Sequence, residues 1–195
     1  MPFPVRDQFP ESLETDRLLV RVARPGDGQM FNTAIVESCE QLKQWLGWVD
    51  PPPSWRESEA SCCRAYARFL LNEDLMVFFI DKASGELVGG SGLHNPDWAL
   101  RQFEVGYWGR SSFLGQGFIT EGVAALTEYA LQQLGASRVF LTTDELNRAS
   151  WRLAERAGFQ LEGTLRHDRL NIHGQLRNTR VYARVQQGAG GVGQG

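Results

Sequence analysis

Apolar and polar residues alternate through DRLLVRVAR (residues 16–24), which predicts a first strand closed by the Pro25–Gly26 turn signal. Residues 27–48 change to helical spacing, and three prolines in DPPPSW forbid its continuation. A second helix fits SEASCCRAYARFLLN (58–72), with Ser58 as its N-cap. The pattern then reads as strands in LMVFFID (75–81) and LVGGSGLH (87–94), joined across KASGE as a hairpin, and in RQFEVGYWG (101–109). TEGVAALTEYALQQLG (120–135) places Val123, Leu126, Ala130, Leu131 and Leu134 on one helical face, and Gly135 suits its C-terminal cap. SRVFLTTD (137–144) alternates again, and NRASWRLAERAG (147–158) is a short helix with Asn147 at its N-cap and Gly158 just past its end. Residues 159–172 and 175–185 form two strands that meet at a His173–Gly174 turn. This order predicts an α/β (α+β) domain, with one mixed central sheet flanked by helices on both faces.

Composition narrows the class. At 195 residues, 42% hydrophobic and 11% aromatic, the chain has the material for one full core, assigned to residues 1–185. The Gly-rich end, QQGAGGVGQG (186–195), has nothing to pack and is expected to be a flexible tail. A formal net charge of −3 supplies no basic footprint for a nucleic-acid backbone, so no nucleic-acid partner is expected. No apolar run reaches the roughly 18 residues of a membrane span, and the opening residues lack the pattern of a signal peptide. A cytoplasmic location with no membrane partner is the expectation. Cys39, Cys62 and Cys63 are odd in number and lack metal-ligand spacing, so they read as ordinary thiols and no metal is expected.

The chemistry concentrates in YWGRSSFLGQGFITEGVAAL (107–126), where two glycines separate a strand from a helix. A helix N-terminus has free N–H groups and the positive end of a dipole, and glycines let a phosphate come close. Neither of two familiar phosphate loops fits. A P-loop requires Lys-Ser/Thr where Phe118 and Ile119 stand, and a dinucleotide fingerprint requires glycine at Thr120. FEVGYWGRSSFLGQGFITEGV instead resembles the pyrophosphate-binding motif of the GNAT N-acetyltransferases, Q/R-x-x-G-x-G/A. Gly115 and Gly117 fill its small positions, while Ser112 occupies the Q/R position and departs from it. LETDRLLVR, WLGWV, GGSGLHNPDW, VGYWG, NRASWRLAERAGFQLEG and NTRVYAR resemble successive landmarks of the branch containing the Rim-type ribosomal-protein N-terminal acetyltransferases. The resemblance runs through residues 13–185.

That resemblance implies direct transfer of an acetyl group from acetyl-CoA (coenzyme A as leaving group) to a primary amine, foremost the α-amine of a protein or peptide N-terminus. Such an amine, with a pKa of about 7.7–8.0, needs less help from a base than a lysine near 10.4. A small amine such as a polyamine, aminoglycoside or amino-acid conjugate is the second acceptor class, and a non-catalytic acyl-CoA-binding module is the alternative outside enzymes. The resemblance also admits a homodimer. Backbone groups of Gly109 and of Gly115, Gln116, Gly117, Phe118, Ile119 and Thr120 are the expected diphosphate contacts. Backbone N–H groups near Tyr107 and Trp108 would meet the thioester carbonyl, and their side chains read as packing. Asn147 is a coenzyme A contact that also suits a helix cap, Ser150 the proton donor to the thiolate, and Glu104 the base, directly or through water. Trp48 and His94 are expected on the acceptor side, with Trp45 and Trp55 around the same proline-rich turn. His167 and Asp168 are adjacent in a strand and so form no expected pair, and Arg169 stands where some Rim-type enzymes carry a carboxylate.

Overall fold

Strands whose apolar positions alternate have to bury one face, and a strand apolar at nearly every position has to bury two. In a computed structural model, which describes residues 8–186, both kinds join one eight-stranded sheet. The strands are β1 (Ser12–Glu14), β2 (Leu18–Val22), β3 (Leu75–Asp81), β4 (Leu87–Asp97), β5 (Gln102–Gly109), β6 (Arg138–Asp144), β7 (Gln160–Leu170) and β8 (Leu176–Val185). Their spatial order is β1-β2-β3-β4-β5-β6-β8-β7, antiparallel throughout except for the parallel β5–β6 pair. β2 buries Leu18, Val20 and Val22 and leaves Leu19 and Arg21 half-buried, whereas β3 is buried at every position except Met76.

Four helices cover the two faces. Helices α1 (Gly28–Leu42) and α2 (Trp55–Leu70) bury Phe31, Ile35 and Cys62 against Phe78, Leu87 and Trp108. On the other face α3 (Phe118–Gln132) and α4 (Arg148–Arg156) bury Val123, Leu126, Ala130 and Ala154 against Phe79, Val105, Leu141 and Tyr182. Burial holds the Cys62 thiol at about 12, consistent with a packing role for this cysteine.

Several boundaries differ from the sequence reading. β1 is an additional strand, too short for a period of two to register, and is held by its pairing with β2, Leu13 opposite Val20. The first long helix stops at Leu42, and residues Gly47–Val49 form a separate 3₁₀ turn. The N-cap of α2 is Ser54 and not Ser58. Ser54 accepts a hydrogen bond from the Glu57 N–H while Glu57 reaches back to the Ser54 N–H, a complete capping box. Ser58 is buried one turn later, where it accepts from Asn32. β4 runs on to Asp97 through an irregularity after His94. Asn147 caps α4 as expected, bonding the Ser150 N–H at 3.1 Å, and Gly135 and Gly158 adopt the left-handed conformation beyond their helices. The Gly-rich segment assigned as a tail lies outside the described residues beyond Gln186.

Helix α3 sits close to the sheet because Gly122 faces the Phe79 ring, where a Cβ would fall 2.6–2.8 Å from ring atoms. Gly122→Ala is expected to destabilise the fold by about 1–3 kcal/mol through overpacking. A lower urea midpoint with an unchanged m-value would show it; an unchanged midpoint would mean that the ring moves aside freely.

Candidate active site

The parallel β5–β6 ladder has three rungs, Gln102–Arg138, Phe103–Val139 and Glu104–Phe140. Beyond Glu104 the strands part: β5 continues to Gly109 paired only with β4, and β6 continues to Asp144 paired only with β8. The parted stretch contains Tyr107 and Trp108, so backbone groups on one edge of β5 have no ladder partner there. Glu104 marks the vertex. Its carboxylate accepts from Thr142 of β6 at 3.3 Å and from Asn95 at 3.0 Å, tying the two strands where they separate.

One side of the opening is built by the glycine loop. Gly115 and Gly117 have φ of 75° and 83°, a left-handed conformation that side chains disfavour. Nothing lies within 4 Å of a Cβ added at Gly115, so conformation rather than crowding requires glycine there. Gly117 is the N-cap of α3 and supplies no side-chain cap, unlike Ser54 and Asn147 at α2 and α4. The N–H groups of Phe118, Ile119 and Thr120 find no acceptor among the described residues, while the Glu121 N–H bonds the Gly117 carbonyl. An uncapped helix end with this loop shape fits a diphosphate.

Arg17, at the start of β2, holds that loop from beneath. Its side chain donates to Glu121 at 2.7 Å and to the Gln116 carbonyl at 3.0 Å, and its guanidinium lies 4.4 Å from the Phe118 ring centroid. Gln116 turns its amide back to the Ser112 carbonyl at 3.3 Å, and Ile119 packs beside Gly89 and Gly109. The Glu121 carboxyl is pushed up by burial, but hydrogen bonds from Thr15 and Arg17, with the guanidinium charge, hold it below the usual carboxylate range on balance. Arg17 and Glu121 were not singled out in the sequence, because 104 positions separate them.

On the α4 side the Tyr107 hydroxyl lies 2.9 Å from the Ser150 carbonyl oxygen and 3.0 Å from Ser150 Oγ. Burial pushes the Tyr107 phenol up to about 12, so it keeps its proton at neutral pH. The Tyr107 side chain thus combines packing with a hydrogen bond to Ser150. Trp108 does pack, 8% exposed with its ring 5.7 Å from Phe31.

A cavity of about 730 Å³ opens along the parted end of β5, lined by Gly106, Tyr107 and Trp108 and walled by Phe31, Leu46, Trp48 and Met76. Asp50, Glu57, Arg64 and His94 supply its charged and titratable groups. Trp48 and His94, the two residues expected on the acceptor side, both line this cavity. Glu104 does not line this cavity, and Trp45 and Trp55 do not either. His94 Nδ1 lies 3.0 Å from Asp74, a buried residue that sequence spacing gave no reason to select. His167 and Asp168 form no pair: His167 has φ of 52° in an irregular stretch of β7, and Asp168 bonds Arg169.

A family model described as an acetyltransferase (GNAT) domain matches residues 17–160. A putative ribosomal N-acetyltransferase of Bacillus subtilis strain 168, YdaF, is 27% identical over 183 residues, covering 88% of this chain and 93% of the relative. The solved structure of RimL, a ribosomal L7/L12 alpha-N-protein acetyltransferase in complex with coenzyme A, superposes with a TM-score of 0.84 at 21% identity over 90% of this chain and 98% of its own. The microcin C7 self-immunity acetyltransferase MccE, in complex with acetyl-CoA and AMP, superposes at 0.82 with 19% identity, covering 92% and 98%. At these identities the two superpositions establish a shared fold.

The Arg17–Glu121 contact carries a pH signature. A carboxyl whose folded pKa is depressed stabilises the fold above its unfolded value of about 4.3, and that contribution disappears as pH falls through the folded value. Glu121→Gln is expected to lower the urea midpoint at neutral pH and to flatten its decline on the acid side. An unaltered acid limb would remove Glu121 from the account of acid stability.

Proposed function

This chain belongs to the GNAT acetyltransferase family, and on that premise we propose that it acetylates the α-amine of a protein or peptide N-terminus, with acetyl-CoA as donor. The observation that carries the reading is the three-rung β5–β6 ladder, whose parted end has an uncapped helix N-terminus on one side and the Trp48–His94 cavity on the other. Two carboxylates, Asp50 and Glu57, face one arginine, Arg64, among mostly apolar walls. A polycation favours a more acidic enclosure; a single ammonium followed by a peptide chain suits this one. The ribosomal acceptors named for RimL and YdaF accord with that choice. A cytoplasmic setting is part of the proposal, and among the described residues no helix is long and apolar enough to cross a membrane.

Acetyl-CoA supplies a thioester whose carbonyl carbon an uncharged amine can attack. The N–H groups of Gly115 to Thr120 hold its diphosphate, and Asn147 adds a polar contact while capping α4. Backbone N–H groups of β5 near Tyr107 and Trp108 stabilise charge on the carbonyl oxygen. Ser150 protonates the departing sulfur. The Tyr107 hydroxyl donates its one proton to the Ser150 carbonyl oxygen and lies 3.0 Å from Ser150 Oγ, which holds the serine side chain in place.

The test is coenzyme A release, followed with a thiol-reactive dye, across peptides with free N-termini and a parallel set of small amines. Release with peptides is expected; release with small amines alone would replace the acceptor, and silence despite coenzyme A binding would favour a non-catalytic module. Ser150→Ala is expected to cut kcat by about 10²-fold or more with coenzyme A affinity retained. Gly117→Val, forced into a left-handed conformation, is expected to raise the calorimetric Kd for coenzyme A while the fold stays cooperative. Unchanged affinity would remove the loop from the binding site.

A further inference from the structure

We propose that His94 is the base that accepts the proton of the acceptor amine, with Asp74 as its positioning residue. The inference rests on the acetyltransferase reading above and assigns the amine side of that site to an Asp–His pair in place of Glu104.

Asp74 lies in the turn between α2 and β3 and is 7% exposed. Its Oδ1 lies 3.0 Å from His94 Nδ1, and Arg68 of α2 approaches its Oδ2 at 3.6 Å. An ionised carboxylate only accepts hydrogen bonds, so this contact places the imidazole proton on Nδ1 and leaves the lone pair on Nε2. Nε2 has no hydrogen-bond partner among the described residues, and His94 lines the acceptor cavity with its side chain 35% exposed.

Two glycines clear the space that the ring occupies. Gly92 of β4 and Gly106 of β5 are cross-strand partners. A Cβ at Gly92 would fall 2.5 Å from His94 Nε2 and 2.3 Å from the Leu75 carbonyl oxygen, and one at Gly106 would fall 3.6 Å from Nε2. The imidazole therefore lies over bare backbone beside the stretch where β5 leaves β6. Glu104, its ladder partner, already accepts from Asn95 and Thr142 and stands outside the cavity. A histidine that served only as a local hydrogen-bonding residue would require neither a two-glycine seat nor an open Nε2.

The step balances within the site. The acceptor ammonium passes one proton to His94 Nε2, which sheds it to water; the freed lone pair then forms the N–C bond as a second N–H proton passes to Nε2. The C–S bond then breaks with its electron pair on sulfur, which takes a proton from Ser150. His94 afterwards loses its proton to water, and solvent restores that of Ser150. The charged and titratable groups around His94 are Asp74 beside it, Arg68, Arg64 and Glu57 from α2, Asp50 from the loop ahead of α2, and Glu104 across the ladder. Of these, the Asp74 carboxylate makes the direct contact.

The test combines kinetics with a readout that needs no acetyl-CoA. His94→Gln is expected to lower kcat for the best peptide by about 10²-fold near neutral pH. The deficit should shrink at pH 9, where the α-amine deprotonates unaided, and KM should change little. Nitrogen-15 NMR of the wild-type imidazoles, with His94 assigned by its loss in the variant, should find the Nδ1–H tautomer. Asp74→Ala should release the ring from the Nδ1–H tautomer and lower kcat with little change in KM. The assignment is overturned by an Nε2–H tautomer, by a His94→Gln deficit equal at every pH, or by a deficit that shrinks at pH 9 in Glu104→Gln instead. Wild-type enzyme that releases no coenzyme A with any peptide or amine would sink the acetyltransferase reading itself, and the base assignment with it; turnover retained by His94→Gln would sink only the latter.

Discussion

Two parallel strands that pair for three rungs and then separate leave peptide groups that have to be satisfied by something other than the sheet. The rest of the site follows from that separation. β5 keeps its other edge on β4 and β6 keeps its own on β8, so the strands diverge without loosening the sheet. The opening lies in the middle of an eight-stranded sheet, where both walls are rigid and both faces are covered by helices. Rigid walls are what a group-transfer site requires, because misplacement of reacting atoms by an ångström costs rate steeply.

The glycine loop depends on the sheet in turn. Left-handed glycines at 115 and 117 shape a helix end without a side-chain cap, and a bare helix end close to a cationic guanidinium is a place for an anion. Arg17 does not spend its charge freely, since Glu121 binds it from the first turn of α3. The pair fastens the start of β2 to the loop, and the guanidinium at the same time binds the Gln116 carbonyl. Stability and binding geometry meet in one contact.

Polar contacts gather around the opening. Tyr107 meets Ser150 of α4, where burial keeps the phenol protonated, and His94 lines the cavity with its Nδ1 on the buried Asp74. Glu104 sits at the vertex, bonded to Asn95 of β4 and Thr142 of β6, and reads as a stitch between the strands where they part.

Much of this architecture was legible in the chain. Periodicity identified seven of the strands and all four helices, because burial on one face leaves a period in the side chains. Gly115, Gly117 and Asn147 were legible because each answers a local backbone demand. The Ser54–Glu57 capping box was equally local, an S-x-x-E in plain view, yet the apolar run that followed drew the boundary to Ser58. Partners distant along the chain were not legible. Arg17 with Glu121, Tyr107 with Ser150 and Asp74 with His94 lie 104, 43 and 20 positions apart, and a side-chain period reports which face a residue takes, not which residue it meets there. The sequence by itself determined the order of elements, the glycine loop and the family resemblance; the tertiary structure decided the parting of β5 and β6 and every charged pair around it, because strand register and helix placement are set by the whole packed core.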